Sequence, residues 1–302
     1  MRAAHLVCAL LAGSVAFAQA PDPKLVFEVA SVKPAAPSGN SPFANVFQMR
    51  GGPGTDDAGQ IHYSNVALQV LLMRAYGLKM RYQLEEPNWL TSLTFDIEAK
   101  VPAGATLEDL NIMIQNLLIE RFHLAAHREN RELAGYELVL SKGGSKMRET
   151  PEAELAPAPG AAPGARGPIK MRKDKDGLQE LEPGAKAMTM FGIAHGGQRY
   201  SARGQDLAVL TQTLENPLGK PVHNATGLTG KYDFNLTFSA DERTSANRGG
   251  AAPAVDAAAD DPGRPPDLFT ALQEQLGLKL EQKKVPVEML VVDRMDRTPT
   301  EN

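Results

Sequence analysis

Thiols are almost missing from this chain. Cys8 is the single cysteine among 302 residues, and it lies in an N-terminal apolar stretch expected to be removed. The mature protein therefore has no disulfide framework and no cysteine-based metal site. Basic runs are short and carry no interleaved aromatics, which excludes a nucleic-acid-binding surface. The signatures H-E-x-x-H, G-x-S-x-G and S-x-x-K do not occur, so neither a zinc peptidase nor a serine nucleophile has a local signature. Aromatic residues make up 6%, with a single tryptophan, Trp89. No apolar run spans a bilayer well: the longest candidate, Leu6–Phe17, is of secretory length.

What is present describes an exported protein. Arg2 precedes the apolar stretch, and small residues at Ala16 and Ala18, or Ala18 and Ala20, fit a signal-peptide cleavage site. Pro21 disfavours the second position, so a cut after Ala18 is expected, placing the mature chain in the periplasm or outside the cell. The formal net charge of −4 becomes −5 once Arg2 is lost, with 31 basic against 36 acidic residues. An apolar content of 42% allows packed cores.

Read in order, residues 1–18 are the signal peptide and 19–59 an N-terminal strand (Leu25–Val32) followed by a glycine-rich loop. That loop, Gly51–Gly59, lacks the Gly-Lys-Ser/Thr ending of a phosphate loop and the acidic spacing of a calcium loop. A first α+β unit spans 60–148. It should contain a strand at Ile61–Ser64, then a helix over Val66–Tyr76 capped by Asn65. An alternating strand follows at Thr94–Val101, then a helix opened by a Thr106/Asp109 capping box with the stripe Leu107, Leu110, Ile114, Leu117 and Leu118. The unit closes with a strand near Phe122–His127, a turn at Asn130–Leu133 and a strand at Tyr136–Leu140. Residues 149–186, rich in Pro, Ala and Gly, read as a disordered linker. A second unit, 187–296, should hold strands near Met188–Ile193 and Arg199–Ala202 and a helix on Leu207, Leu210, Leu214 and Leu218. Tyr232–Phe238 is a perfectly alternating strand that turns Asp233, Asn235 and Thr237 away from the core. A disordered insertion (241–266) precedes a helix capped by Asp267, and the last strands are Leu278–Gln282 and Val285–Asp293. Residues 297–302 form a tail.

The two units repeat one order of helix, strand, helix and paired strands. Leu68 and Asp96 are 28 positions apart, Leu207 and Asp233 are 26 apart. Such self-similarity implies internal duplication of a small helix-on-sheet α+β unit.

Candidate chemistry is thin. His123 and His127 would suit zinc on a helix, but a strand would hold them about 13 Å apart on one face. His62, His195 and His223 lack a fixed serine or carboxylate partner. Asp96 and Glu98 share a strand face and could form an acid–base pair, although any half-exposed strand shows that alternation. Glu85–Glu86 and Asp260–Asp261 read as solvated loop residues, and Trp89 as a cap on the first core. No catalytic, cofactor-binding or metal-ligating residue is assigned, and no cofactor is expected.

Phe27–Pro34 (FEVASVKP), Leu118–Leu133 (LIERFHLAAHRENREL), Thr226–Phe234 (TGLTGKYDF) and Leu268–Leu280 (LFTALQEQLGLKL) together resemble the soil-associated bacterial family, whose shared domain has no known function. The resemblance implies export, and kinship with domains attached to membrane metallopeptidases of the beta-lactam-sensor type. The order of elements is also similar to the short N-terminal modules of secretins and TonB-dependent transporters, a likeness of fold alone. The expected function is a non-enzymatic binding or interaction module of the envelope or exterior. Its partner would be an envelope protein, peptide or small ligand met by strand addition or in a groove, with no nucleic acid and no membrane span after signal removal. The alternatives are an extracytoplasmic hydrolase using Asp96, Glu98, His123 or Asp233, and a subunit of a sensing or export complex.

Overall fold

The computed structural model describes residues 25–35, 47–151, 171–173, 179–181, 188–194, 197–239 and 265–300. The signal segment, His195, Asp260–Asp261 and most of the expected linker and insertion lie outside them. The fold is mixed α and β, and the chain divides into two compact units, Met1–Arg131 with Val287–Asn302, and Glu132–Pro286.

Unit 1 is built on an antiparallel sheet. Its strands are β1 (Val29–Pro34), β2 (Gln48–Gly51), β3 (Gln60–Ala67) and β5 (Thr94–Lys100), ordered β1-β5-β3-β2, with a short β4 (Leu84–Glu85) between β3 and β5 in sequence. The glycine-rich loop is the turn joining β2 to β3, held by Gly52 N–H donating to the Asp57 and Gln60 carbonyls. Alternation does what it predicts: Phe95, Ile97 and Ala99 of β5 and Ile61 and Tyr63 of β3 are buried.

The register of β3 on β5 slips between Tyr63 and Val66. This bulge puts Asn65 at φ 54°, and Asp96 Oδ1 accepts from Asn65 N–H at 2.8 Å. Asn65 is therefore not a helix cap. The strand continues to Ala67, and helix α1 is Leu68–Ala75. Asparagine suits both roles, because it tolerates the left-handed region as readily as it caps.

Helix α2 (Leu107–Phe122) starts as its sequence dictates. Thr106 N–H donates to Asp109 Oδ2 at 2.8 Å and Asp109 N–H to Thr106 Oγ1 at 3.1 Å, a reciprocal capping box. Leu110, Ile114, Leu117 and Leu118 are buried, but Leu107, in the first turn, is 55% exposed. Phe122 is fully buried and meets Phe95 edge to face at 5.0 Å, a contact worth about 1 kcal/mol beyond burial. The helix runs on to Phe122, where a strand was expected, and stops because His123 turns left-handed at φ 48°. Strand β6 (Ala125–Leu140) then passes straight through Asn130–Leu133 with no turn.

Unit 2 holds β7 (Arg148–Glu149), the hairpin β8 (Met171–Lys173) and β9 (Gln179–Leu181), then β10 (Met188–Ala194), β11 (Gly197–Gln205), α3 (Leu207–Leu218), β12 (Val222–Asn224) and β13 (Tyr232–Ser239). Helix α4 (Leu268–Ala271) continues as a π turn, Leu272–Leu276, into β14 (Leu278–Arg294). The antiparallel sheet is ordered β10-β11-β13-β7. Three strands thus include residues of the stretch read as a linker, and the two expected final strands are one.

The register of β11 on β13 also slips by one residue, between Ala202 and Gln205. Gly204 sits there at φ 57°, and its N–H donates to Asp233 Oδ1 at 2.9 Å. Tyr200, Leu207, Leu210, Leu214, Phe234, Leu236, Phe238, Leu272 and Leu276 pack into the unit 2 core. The opposite face of the sheet, to which Asp233 turns, is also covered in part. Arg199, Ser201, Arg203 and Asp233 are buried there, and Arg203 donates from Nη2 and Nε to the carbonyl of buried Leu181 at 2.7 and 3.1 Å.

The boundary between units falls inside both long strands. In unit 1 β14 pairs in parallel with β4 (Leu290↔Leu84), and in unit 2 β6 pairs in parallel with β12 (Val222↔Tyr136). Leu290, Val292 and Met295 join the unit 1 core, while Tyr136, Leu138 and Leu278 join that of unit 2.

Candidate binding groove

Among the described residues, the unit 1 sheet ends at β1, and residues of α2 lie beside that strand. Between them lies a cavity of about 530 Å³. One side is formed by Val26 to Ser31; the other by Met113, Asn116, Leu117, Glu120 and Arg121 of α2. The spacing of those α2 residues brings them onto one helix face. Asn116 Nδ2 donates to the Leu25 carbonyl at 2.9 Å, tying the segment that leads into β1 to the helix.

The strand's hydrogen-bond directions follow from its register. Ala35 N–H donates to the Thr94 carbonyl at 2.9 Å, and the Ala30↔Ala99 pairing keeps the same frame. Antiparallel alternation therefore turns the main-chain groups of Ala30 away from β5, toward the outer side of the sheet. Val29 is 68% exposed and Val26 46%, large apolar side chains at the lip. Two carboxylates stand at the rim: Glu28, 2.6 Å from Lys100 Nζ, and Glu120, 3.6 Å from Arg121 Nε. The groove offers a strand edge, a helix wall in which Met113 and Leu117 alternate with Asn116 and Glu120, and a charged rim, features suited to holding an extended chain.

The residues singled out in the sequence do not gather there. Asp96 holds the β3 bulge, while Glu98 is exposed and lies 3.9 Å from His62, which is also 3.6 Å from Asp57. His123 Nδ1 lies 2.8 Å from Asp296 Oδ2, and His127 Nδ1 lies 2.9 Å from Asp293 Oδ2. The hydrogen bond to Asp293 holds the His127 imidazole above its ordinary pKa, helped by the Asp293 and Glu129 charges. No group of metal-ligating side chains suited to an ion occurs among the described residues. His223 is exposed on β12, and Trp89 packs on the unit 1 core with the Arg297 guanidinium 5.4 Å from its ring centre. In unit 2, Asp233 is buried against Arg148 Nη1 at 2.8 Å and Thr150 Oγ1 at 2.7 Å.

Sequence reasoning missed Glu86. Its side chain is 3% exposed, not solvated, and accepts from Gln69 Nε2, with Arg81 Nη2 at 3.1 Å. Burial raises the pKa of its carboxyl, against the pull of Arg81 and Gln69. The groove too had no signal in the sequence, because Val26–Ser31 is an ordinary strand-forming stretch until the fold makes it an edge.

A family model described as "Protein of unknown function (DUF3738)" matches residues 69–295. The chain belongs to that family. No curated protein and no solved structure matches it. The matched span includes α2 but begins after β1, so one wall of the groove lies within the DUF3738 region and the other before it. Among the described residues, no helix is long and apolar enough to cross a membrane.

Proposed function

We propose that this chain is an exported, non-enzymatic binding module of the bacterial envelope or exterior. It takes up an extended peptide segment with alternating apolar side chains by strand addition to β1. The reading rests on one observation: among the described residues, an edge strand with exposed Val29, preceded by exposed Val26, faces a helix across a cavity of about 530 Å³. Export follows from the signal-peptide pattern of residues 1–18, in keeping with the resemblance to soil-associated bacterial proteins and to sensor-peptidase domains. We further infer that the two units arose by duplication. Each carries a one-residue slip in its central strand pair, a left-handed residue at the slip (Asn65, Gly204) and an aspartate accepting from that residue's N–H (Asp96, Asp233).

The test is fluorescence polarisation with eight-to-ten-residue peptides of alternating apolar sequence. Ala30→Pro removes the outward N–H at a position where an edge strand tolerates proline. The expected result is saturable binding that weakens at least tenfold in Ala30→Pro while the circular dichroism spectrum is unchanged. Absence of binding by every such peptide, or binding indifferent to Ala30→Pro, would overturn the reading.

A further inference from the structure

The second inference concerns unit 2 and does not depend on the groove. In unit 1, β5 is covered along its outer edge by six paired residues of β1. In unit 2, among the described residues, β13 is covered by β7 over two pairs, Tyr232↔Glu149 and Asp233↔Arg148, with Thr150 N–H donating to the Lys231 carbonyl at 2.7 Å. Beyond that point the edge is met by other means. Gln275, in the π turn, accepts from Thr237 N–H through Oε1 at 2.9 Å and donates from Nε2 to the Thr237 carbonyl at 2.7 Å. Ser239 N–H donates to the Pro266 carbonyl at 2.8 Å.

A primary amide that accepts from and donates to one residue reproduces the hydrogen bonds of a neighbouring strand. We propose that Gln275 is a strand surrogate that closes the β13 edge against pairing with the β13 edge of a second copy of this chain. The composition of that edge favours this occupant. Asn235–Ser239 contains no charged residue and no proline, which are the usual guards of an open edge. An antiparallel two-fold pair of this segment sets no like charges against each other. A π turn, which recurs at functional positions, carries the guarding side chain.

Sedimentation equilibrium on the mature chain tests the proposal. Gln275→Ala should self-associate at least tenfold more tightly than the unsubstituted chain, and Thr237→Pro added to it should abolish the gain, because proline removes the edge donor. Gln275→Glu keeps the acceptor for Thr237 N–H but presents an oxygen to the Thr237 carbonyl. It should associate to an intermediate degree, and it provides the readout should the alanine variant fail to fold. The proposal is overturned if neither Gln275 variant associates more than the unsubstituted chain, or if Thr237→Pro leaves the association unchanged.

Discussion

Asp96 and Asp233 do the same local task in different surroundings, and their replacement separates the two. Asp233 is buried and accepts from Gly204 N–H, Thr150 Oγ1 and Arg148 Nη1. Removing one partner of a buried ion pair costs about 3–5 kcal/mol, and the half-exposed Arg148 places Asp233→Ala near the lower figure. Asp96 is half-buried and answers one backbone N–H, so Asp96→Ala should cost about 1 kcal/mol. Urea unfolding of both variants checks this, and equal losses would mean that burial does not set the difference. The sequence contained these residues in plain alternation. It did not carry their burial, because what covers a strand face depends on distant segments such as Leu181.

At the level of elements, the long strands β6 and β14 were the least legible. Asn130, Arg131 and Glu132 look like turn residues when a strand is assumed to have one apolar face. Here this stretch of β6 is largely exposed and held by charges: Arg128 Nη1 lies 2.7 Å from Glu288, and Arg131 pairs with Glu85 and Glu129. The helices were easier. The capping box at Thr106 and the stripe beyond it are local, and local signals survive folding. His127, on the same strand, makes its hold pH-dependent. Its folded pKa is raised above the unfolded value of about 6.5, so its contribution is fully present below that value and fades as pH rises through the folded pKa. The stability difference between the unsubstituted chain and His127→Gln should therefore shrink from pH 5.5 to pH 9. A difference that grows over that range would show that the Asp293 contact does not behave as the geometry requires.

For the whole molecule, the chain forms two compact units, Met1–Arg131 with Val287–Asn302, and Glu132–Pro286. Sequence spacing suggested a break in the low-complexity stretch after residue 148, whereas the compact units separate within β6 and β14. Unit 2 is one continuous piece, Glu132–Pro286, and unit 1 is completed by Val287–Asn302. Leu290, Val292 and Met295 belong to the unit 1 core, and losing several large core side chains at about 2–5 kcal/mol each exceeds what a small domain can bear. A fragment ending at Arg131 should therefore show no cooperative thermal transition, and adding a peptide of residues 287–302 should restore one. A cooperative transition in the fragment alone would contradict the assignment of that core.

That closing segment also sets a clock. Between Arg131 and Val287 lie 155 residues, all of unit 2, and synthesis at about 5–20 residues per second needs roughly 8–30 s to make them. Through that interval the first-made half of the chain holds an apolar surface whose last pieces do not yet exist. The half that begins second is the half that can finish first.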